Sequence, residues 1–138
     1  MNNNNENEKR KIKVAWYENN VPFVEPILYY LKKEKVFDVK IFGNPDSAEK
    51  EITDYHPDLV IFDYRMPNIT GLQMFNRLKG KFSFAPVFFS IWANDEVTKA
   101  ELLDAKVESR AIFDKRIEPA SFAKALYEYY MSKTDKNK

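Results

Sequence analysis

The stretch that most constrains this chain is residues 56–71, HPDLVIFDYRMPNITG. Leu59 to Phe62 is an unbroken apolar run, the pattern of a strand buried on both faces of a parallel sheet. The run stops at Asp63. A carboxylate there stands at the C-terminal edge of the sheet, where open α/β sheets place their ligand sites. Met66-Pro67 bars immediate helix continuation, because the residue before proline is pushed towards extended geometry. Gly71 permits a tight turn before the amphipathic stretch Leu72 to Leu78. The expectation is an aspartate on a rigid strand end, beside a loop, facing solvent.

Strand-like and helix-like patterns alternate on either side. Ile12 to Tyr17 reads as a first strand. Pro22 suits a first helical turn, and Phe23, Ile27, Tyr30 and Leu31 then share a face, with Pro26 placed where it can kink the helix. Phe37 to Phe42 alternates as a second strand, and Asn44-Pro45 signals a helix over 45–55. The third strand is Asp58 to Phe62 and the third helix 71–80. Pro86 to Trp92 is a very apolar fourth strand, and Asn94-Asp95 caps a helix to about Val107. Ala111 to Asp114 is the fifth strand, and Pro119 opens a last helix with Phe122, Leu126, Tyr129 and Tyr130 as its apolar elements. Five β-α units imply a parallel sheet with helices on both faces.

Composition removes several alternatives. The 138 residues suffice for one domain, and 44% are hydrophobic, so a packed core is expected. With 22 basic against 21 acidic residues, nothing draws the whole chain to nucleic acid or to an anionic membrane. The chain has no cysteine and one histidine, His56, which excludes thiolate chemistry and His- or Cys-rich metal sites. His56 reads as a loop residue with no catalytic role. No apolar run approaches the roughly 20 residues needed to span a bilayer, and no secretory segment opens the chain. The expected location is the cytoplasm. Residues 1–10 read as a disordered leader, 11–131 as the domain, and 132–138 as a charged tail or the start of a linker.

The spacing D-x-x-M-P-x-x-x-G after an apolar strand, here Asp63, Met66, Pro67 and Gly71 with Leu72 following, resembles the phosphoacceptor segment of the response-regulator receiver domain. The resemblance covers about residues 11–131 and implies a flavodoxin-like sheet of order 2-1-3-4-5. It makes Asp63 the phosphoacceptor. Lys115, after the fifth strand (AIFDK), becomes the point charge that contacts the phosphoryl group. It also implies a Mg²⁺ ion, a hard cation that takes oxygen ligands and keeps several waters. Glu18, Asn19, Asp63 and the backbone carbonyl of Arg65 fall at its ligand positions.

The chain departs from the family at several of these positions. Asn19 puts an amide where the family has an acid, so the pocket carries two carboxylates instead of three and should hold the ion weakly. Arg116 replaces the proline that commonly follows the lysine. The switch hydroxyl after the fourth strand falls on Ile91, with Ser90 one residue early. The switch aromatic falls on Ile112, with Phe113 next to it. A one-residue slip reverses the face of a strand residue, so Ser90 substitutes only if a bulge intervenes.

Two functions follow. The first is a receiver domain of a two-component or phosphorelay system that takes a phosphoryl group on Asp63. Its partners would be a histidine kinase or phosphotransfer protein, a downstream protein, and in some receivers a second copy of the chain. Nucleic acid and membrane are not expected as direct partners, and turnover is limited to self-phosphorylation and self-dephosphorylation. The second is a pseudo-receiver, a binding module that works without phosphorylation, to which Asn19, Ile91 and Ile112 point. An unrelated α/β enzyme fits poorly: with only 3 glycines there is no Gly-rich phosphate loop, and neither a G-x-S-x-G elbow nor a Ser–His pairing occurs.

Overall fold

The computed structural model describes residues 10–66, 68–90 and 96–135. Its centre is a five-stranded sheet: β1 (Ile12–Tyr17), β2 (Phe37–Phe42), β3 (Leu59–Asp63), β4 (Ala85–Ser90) and β5 (Ile112–Asp114), in the order β2-β1-β3-β4-β5. Every neighbouring pair is parallel. The helices are α1 (Val21–Lys33), α2 (Ala48–Tyr55), α3 (Gly71–Leu78), α4 (Glu96–Asp104) and α5 (Pro119–Asp135). This is the flavodoxin-like arrangement that the resemblance implies.

Strand alternation sorts the aromatic side chains into two layers. Trp16 and Phe89 face α5, where Phe89 stacks on Phe122 at 4.7 Å and Phe113 meets the same ring edge-on at 4.9 Å. Their neighbours Tyr17, Phe62 and Phe88 face the opposite way, and Phe75 of α3 packs edge-on against Phe88. β3 is buried along its whole length, as its unbroken apolar run requires.

Several boundaries differ from the expectation. β3 includes Asp63, which pairs with Phe89 of β4, so the acid is a sheet residue. The segment expected to be one helix over 45–55 opens with a 3-10 turn, Pro45–Ser47, where the Asn44 side chain accepts the Asp46 N–H. Ala111 belongs to a 3-10 turn rather than to β5. α5 continues to Asp135, past the expected boundary at 131. On α1 the buried stripe is Val24, Ile27 and Leu31, and the helix runs through Pro26. Phe23, expected on that face, is 44% exposed. The leader through residue 9, Pro67 and residues 91–95, including Ile91, Trp92 and the Asn94-Asp95 cap, lie outside the described residues.

Gly71 serves packing more than turning. A Cβ on it would lie 2.7 Å from the carbonyl oxygen of Asp63 and 3.0 Å from Cβ of Phe62. Its N–H donates to the Tyr64 carbonyl at 2.7 Å. α3 therefore starts in direct contact with the end of β3. Thr70 and Gln73 close its first turn as a reciprocal capping box, and Arg65–Met66 and Ile69–Thr70 form a short antiparallel ladder between strand and helix.

Candidate functional site

Three strands deliver the site. β1 ends at Tyr17, and the next residue, Glu18, continues the edge by donating its N–H to the Phe42 carbonyl. β3 ends on Asp63. β5 is followed by Lys115, whose N–H donates to the Ser90 carbonyl at 3.1 Å. Parallel register brings these ends together, and all three side chains are buried: Glu18 is 1% exposed, Asp63 2% and Lys115 9%.

The Lys115 ammonium lies between the two acids, 2.8 Å from Glu18 Oε2 and 3.0 Å from Asp63 Oδ1. The exposed Phe23 ring covers it, with its centroid 5.8 Å from Nζ. Glu18 Oε2 also accepts the Asn20 N–H at 3.0 Å, and Arg65 N–H makes a long 3.4 Å contact with Asp63 Oδ1. Asp63 is thus a roofed, paired group, which corrects the expectation that it faces solvent. Lys115 closes over both carboxylates.

Burial pushes the Glu18 carboxyl up to about 7, with Lys115 pulling the other way and the charge of Asp63 adding to the rise. The cause is visible in its atoms: Glu18 Oε1 is buried and has no hydrogen-bond partner among the described residues. An unpartnered carboxylate oxygen of this kind is a free ligand position.

Asn19 supplies a second sign. With its amide nitrogen turned inward, it donates to Asp63 Oδ2 at 2.5 Å and to the Arg65 carbonyl at 3.2 Å. Turned the other way, its oxygen would lie beside those two oxygens as a further hard donor. Glu18, Asn19, Asp63 and the Arg65 carbonyl are all hard oxygen donors, so the residues present fit Mg²⁺. Among the described residues no three His, Cys, Asp or Glu side chains cluster around a metal position, since the third acid is replaced by Asn19.

The loop after Lys115 is fixed without a proline. Asp114 accepts from the Arg116 backbone N–H and from its guanidinium, at 2.7–2.8 Å. That guanidinium holds the Asp114 carboxyl below its ordinary range.

Of the switch positions, Ile91 lies outside the described residues, and Ser90 adjoins the cluster through its carbonyl, which accepts the Lys115 N–H. β4 pairs continuously with β3 and β5 through Ser90↔Asp114, so no bulge carries Ser90 forward one place. Ile112 pairs with Phe88, while Phe113 packs on Phe122 in the other layer and does not substitute for it.

Two tyrosines to which the sequence assigns no role flank the acids. Tyr17, just before Glu18, donates its hydroxyl to Glu51 of α2 at 2.9 Å. Tyr64, just after Asp63, donates to Glu101 of α4 at 2.5 Å. Burial and then the facing glutamate push both phenols above their ordinary value, Tyr64 to about 12, so both remain donors at neutral pH. Neither contact has a local sequence signal, because the partners lie 34 and 37 residues away.

A family model for the response regulator receiver domain matches residues 15–127. Solved structures share the fold. The BeF3-activated N-terminal receiver domain of RstA from Klebsiella pneumoniae is 23% identical, covering 86% of this chain and 97% of that one, with a TM-score of 0.74. A DNA-binding response regulator of the LuxR family from Staphylococcus aureus is 17% identical, covering 86% and 98%, with a TM-score of 0.74. A response regulator from Desulfuromonas acetoxidans is 23% identical, covering 85% and 94%, with a TM-score of 0.70. No curated protein matches the sequence.

Proposed function

Given that this chain belongs to the response-regulator receiver domain family, we propose that it accepts a phosphoryl group on Asp63 and signals through a protein partner. Members of the family are generally signalling modules rather than turnover enzymes. They interact with kinases and downstream effectors, and they typically bind Mg²⁺ at the phosphorylation site. The observation that carries the reading is the buried Lys115 ammonium held between Glu18 and Asp63, at 2.8 Å and 3.0 Å.

The donor is a phosphohistidine of a histidine kinase or phosphotransfer protein. An Asp63 carboxylate oxygen supplies the electron pair for a new O–P bond as the donor's N–P bond breaks. That bond's electrons stay on the imidazole nitrogen, which takes up a proton. Lys115 is within reach of the arriving phosphoryl oxygens and exchanges its contact with Asp63 for one with them. Glu18 keeps the other side of the ammonium fixed, so Lys115 stays positioned during the exchange. Glu18, Asn19, Asp63 and the Arg65 carbonyl would hold Mg²⁺, which when bound supplies the positive charge that phosphoryl transfer demands. Water attack on phosphorus then restores the carboxylate and releases phosphate, the only turnover this reading includes.

The expected setting is the cytoplasm, without direct nucleic-acid or membrane contact, and a homodimer is one form of partner. No helix among the described residues is long and apolar enough to cross a membrane. A second reading, a pseudo-receiver working without phosphorylation, draws on Asn19, whose amide nitrogen, when turned inward, would donate to Asp63 Oδ2.

Mg²⁺ and beryllofluoride, an acyl-phosphate mimic, separate the two. Saturable, Mg²⁺-dependent binding followed by Trp16 fluorescence and by NMR shifts, and lost in Asp63→Asn, is the expected result. A flat response in both measurements rejects the phosphoacceptor and leaves the binding module.

A further inference from the structure

The acceptor aspartate needs a route to the rest of the molecule. The pair that usually provides it falls here on Ile91 and Ile112, neither of which carries a hydroxyl or an aromatic ring. Tyr64 occupies a position that can do the same work. Its backbone is pinned on both sides: the N–H donates to the Phe89 carbonyl at 2.9 Å, and the carbonyl accepts from Gly71 at 2.7 Å. Its ring is buried, and its hydroxyl donates to Glu101 Oε1 at 2.5 Å.

Of the α4 side chains the structure describes, Thr98 and Leu102 are buried, while Lys99, Ala100, Glu101, Leu103 and Asp104 are exposed. The hydrogen bond from Tyr64 to the charged Glu101 therefore joins the buried Thr98 and Leu102 in fixing α4 to the sheet. The other end of Tyr64 is one peptide from Asp63, whose Oδ1 contacts both Lys115 and the Arg65 N–H. Any change of charge at that carboxylate alters the contacts that hold residues 63–65, and the Tyr64 ring is the lever attached to them.

We infer that Tyr64, through its hydrogen bond to Glu101, is a positioning residue that couples the charge state of Asp63 to the docking of α4. The nature of the natural signal rests on the phosphoacceptor reading. The coupling itself is a property of the resting protein, since any change of charge at residue 63 exercises it.

The test is a double-mutant cycle in the full chain, read by hydrogen–deuterium exchange of the α4 amides with α3 as the internal reference. Tyr64→Phe keeps the ring and removes the donor. It is expected to speed α4 exchange by about fivefold or more and to leave α3 unchanged. Asp63→Asn should shift α4 exchange in the wild-type background, and shift it by less than about twofold when combined with Tyr64→Phe. Glu101→Gln, which retains a neutral acceptor, should fall between wild type and Tyr64→Phe. An Asp63→Asn shift of equal size in both backgrounds, or no shift in either, overturns the coupling. Beryllofluoride failing to bind the wild type would reject the phosphoacceptor, while the cycle, which uses no phosphoryl mimic, would still decide the role of Tyr64.

Discussion

Tyr17 and Tyr64 make nearly the same connection with opposite consequences. Each adjoins a pocket carboxylate, and each donates its hydroxyl to a glutamate on a helix. α2, which receives Tyr17, also buries Ala48, Ile52 and Tyr55, and the Tyr55 hydroxyl is tied to the Asp38 carbonyl at 2.7 Å. α4, which receives Tyr64, buries Thr98 and Leu102 among its described side chains. The bond to α2 is redundant with a packed face. The bond to α4 stands beside two buried side chains among those described, Thr98 and Leu102. The lesson is that the weight of a hydrogen bond is set by what else holds the element it reaches. Mobility that signalling can use belongs where few other contacts compete.

Truncating one buried residue on each helix tests this contrast most severely. Ile52→Ala should lower global stability by about 3 kcal/mol in denaturant unfolding, because α2 opens only with the domain. Leu102→Ala should speed exchange across α4 while shifting the unfolding midpoint less. Equal losses of midpoint would break the comparison.

A smaller effect of opposite sign comes from the two helix ends. Both α2 and α4 terminate on a non-glycine residue in the left-handed region, His56 at φ 55° and Lys106 at φ 71°. At α4 the Lys106 and Val107 N–H groups close back on Leu103 and Leu102, both at 3.0 Å, the two bonds of a Schellman cap. Glycine relieves the Cβ strain, so His56→Gly and Lys106→Gly should each gain about 1 kcal/mol. The first should raise the global midpoint, and the second should chiefly slow α4 exchange.

The smallest effect concerns the segment after α4. Glu108 bonds Lys133 of α5 and Arg110, and its carboxyl is held below the ordinary value of 4.5, chiefly by Lys133. A depressed folded pKa contributes stability above the unfolded value and loses it as pH falls through the folded one. Lys133→Met should therefore cost about 0.5 kcal/mol at neutral pH, since both side chains are about a third exposed and solvent screens the pair. The difference from wild type should shrink below about pH 4.5, as Glu108 protonates. Thermal melts at pH 7 and at acid pH read it.

The sheet was largely legible because strands buried on both faces leave unbroken apolar runs, and β3 and β4 do so plainly. Asp63 and Lys115 stood out through their places after strands, and the structure brings them together with Glu18, Asn19 and the Arg65 carbonyl. Other features had no linear sign. Which of Phe23 and Val24 faces inward depends on how α1 rolls against α5, and a helical stripe leaves one residue of latitude. The roof over Asp63 and the bonds from Tyr17 and Tyr64 depend on which strands are neighbours, information that spacing along the chain does not carry. The capping box at Thr70 and Gln73 does have a linear sign, its T-x-x-Q spacing.

Gly71 bears on what this chain can become under mutation. Its α-carbon sits so close to the Asp63 carbonyl that a β-carbon would lie 2.7 Å from that oxygen. Every other amino acid brings a β-carbon, so no amino-acid replacement at this position is silent in shape. The obstruction is backbone, which cannot swing aside as the tip of a side chain can. In a library randomised at residue 71 and sorted for folding, that position would return to glycine. One missing carbon thereby fixes the distance between the end of β3 and the start of α3, and with it the place of Asp63 against the next helix.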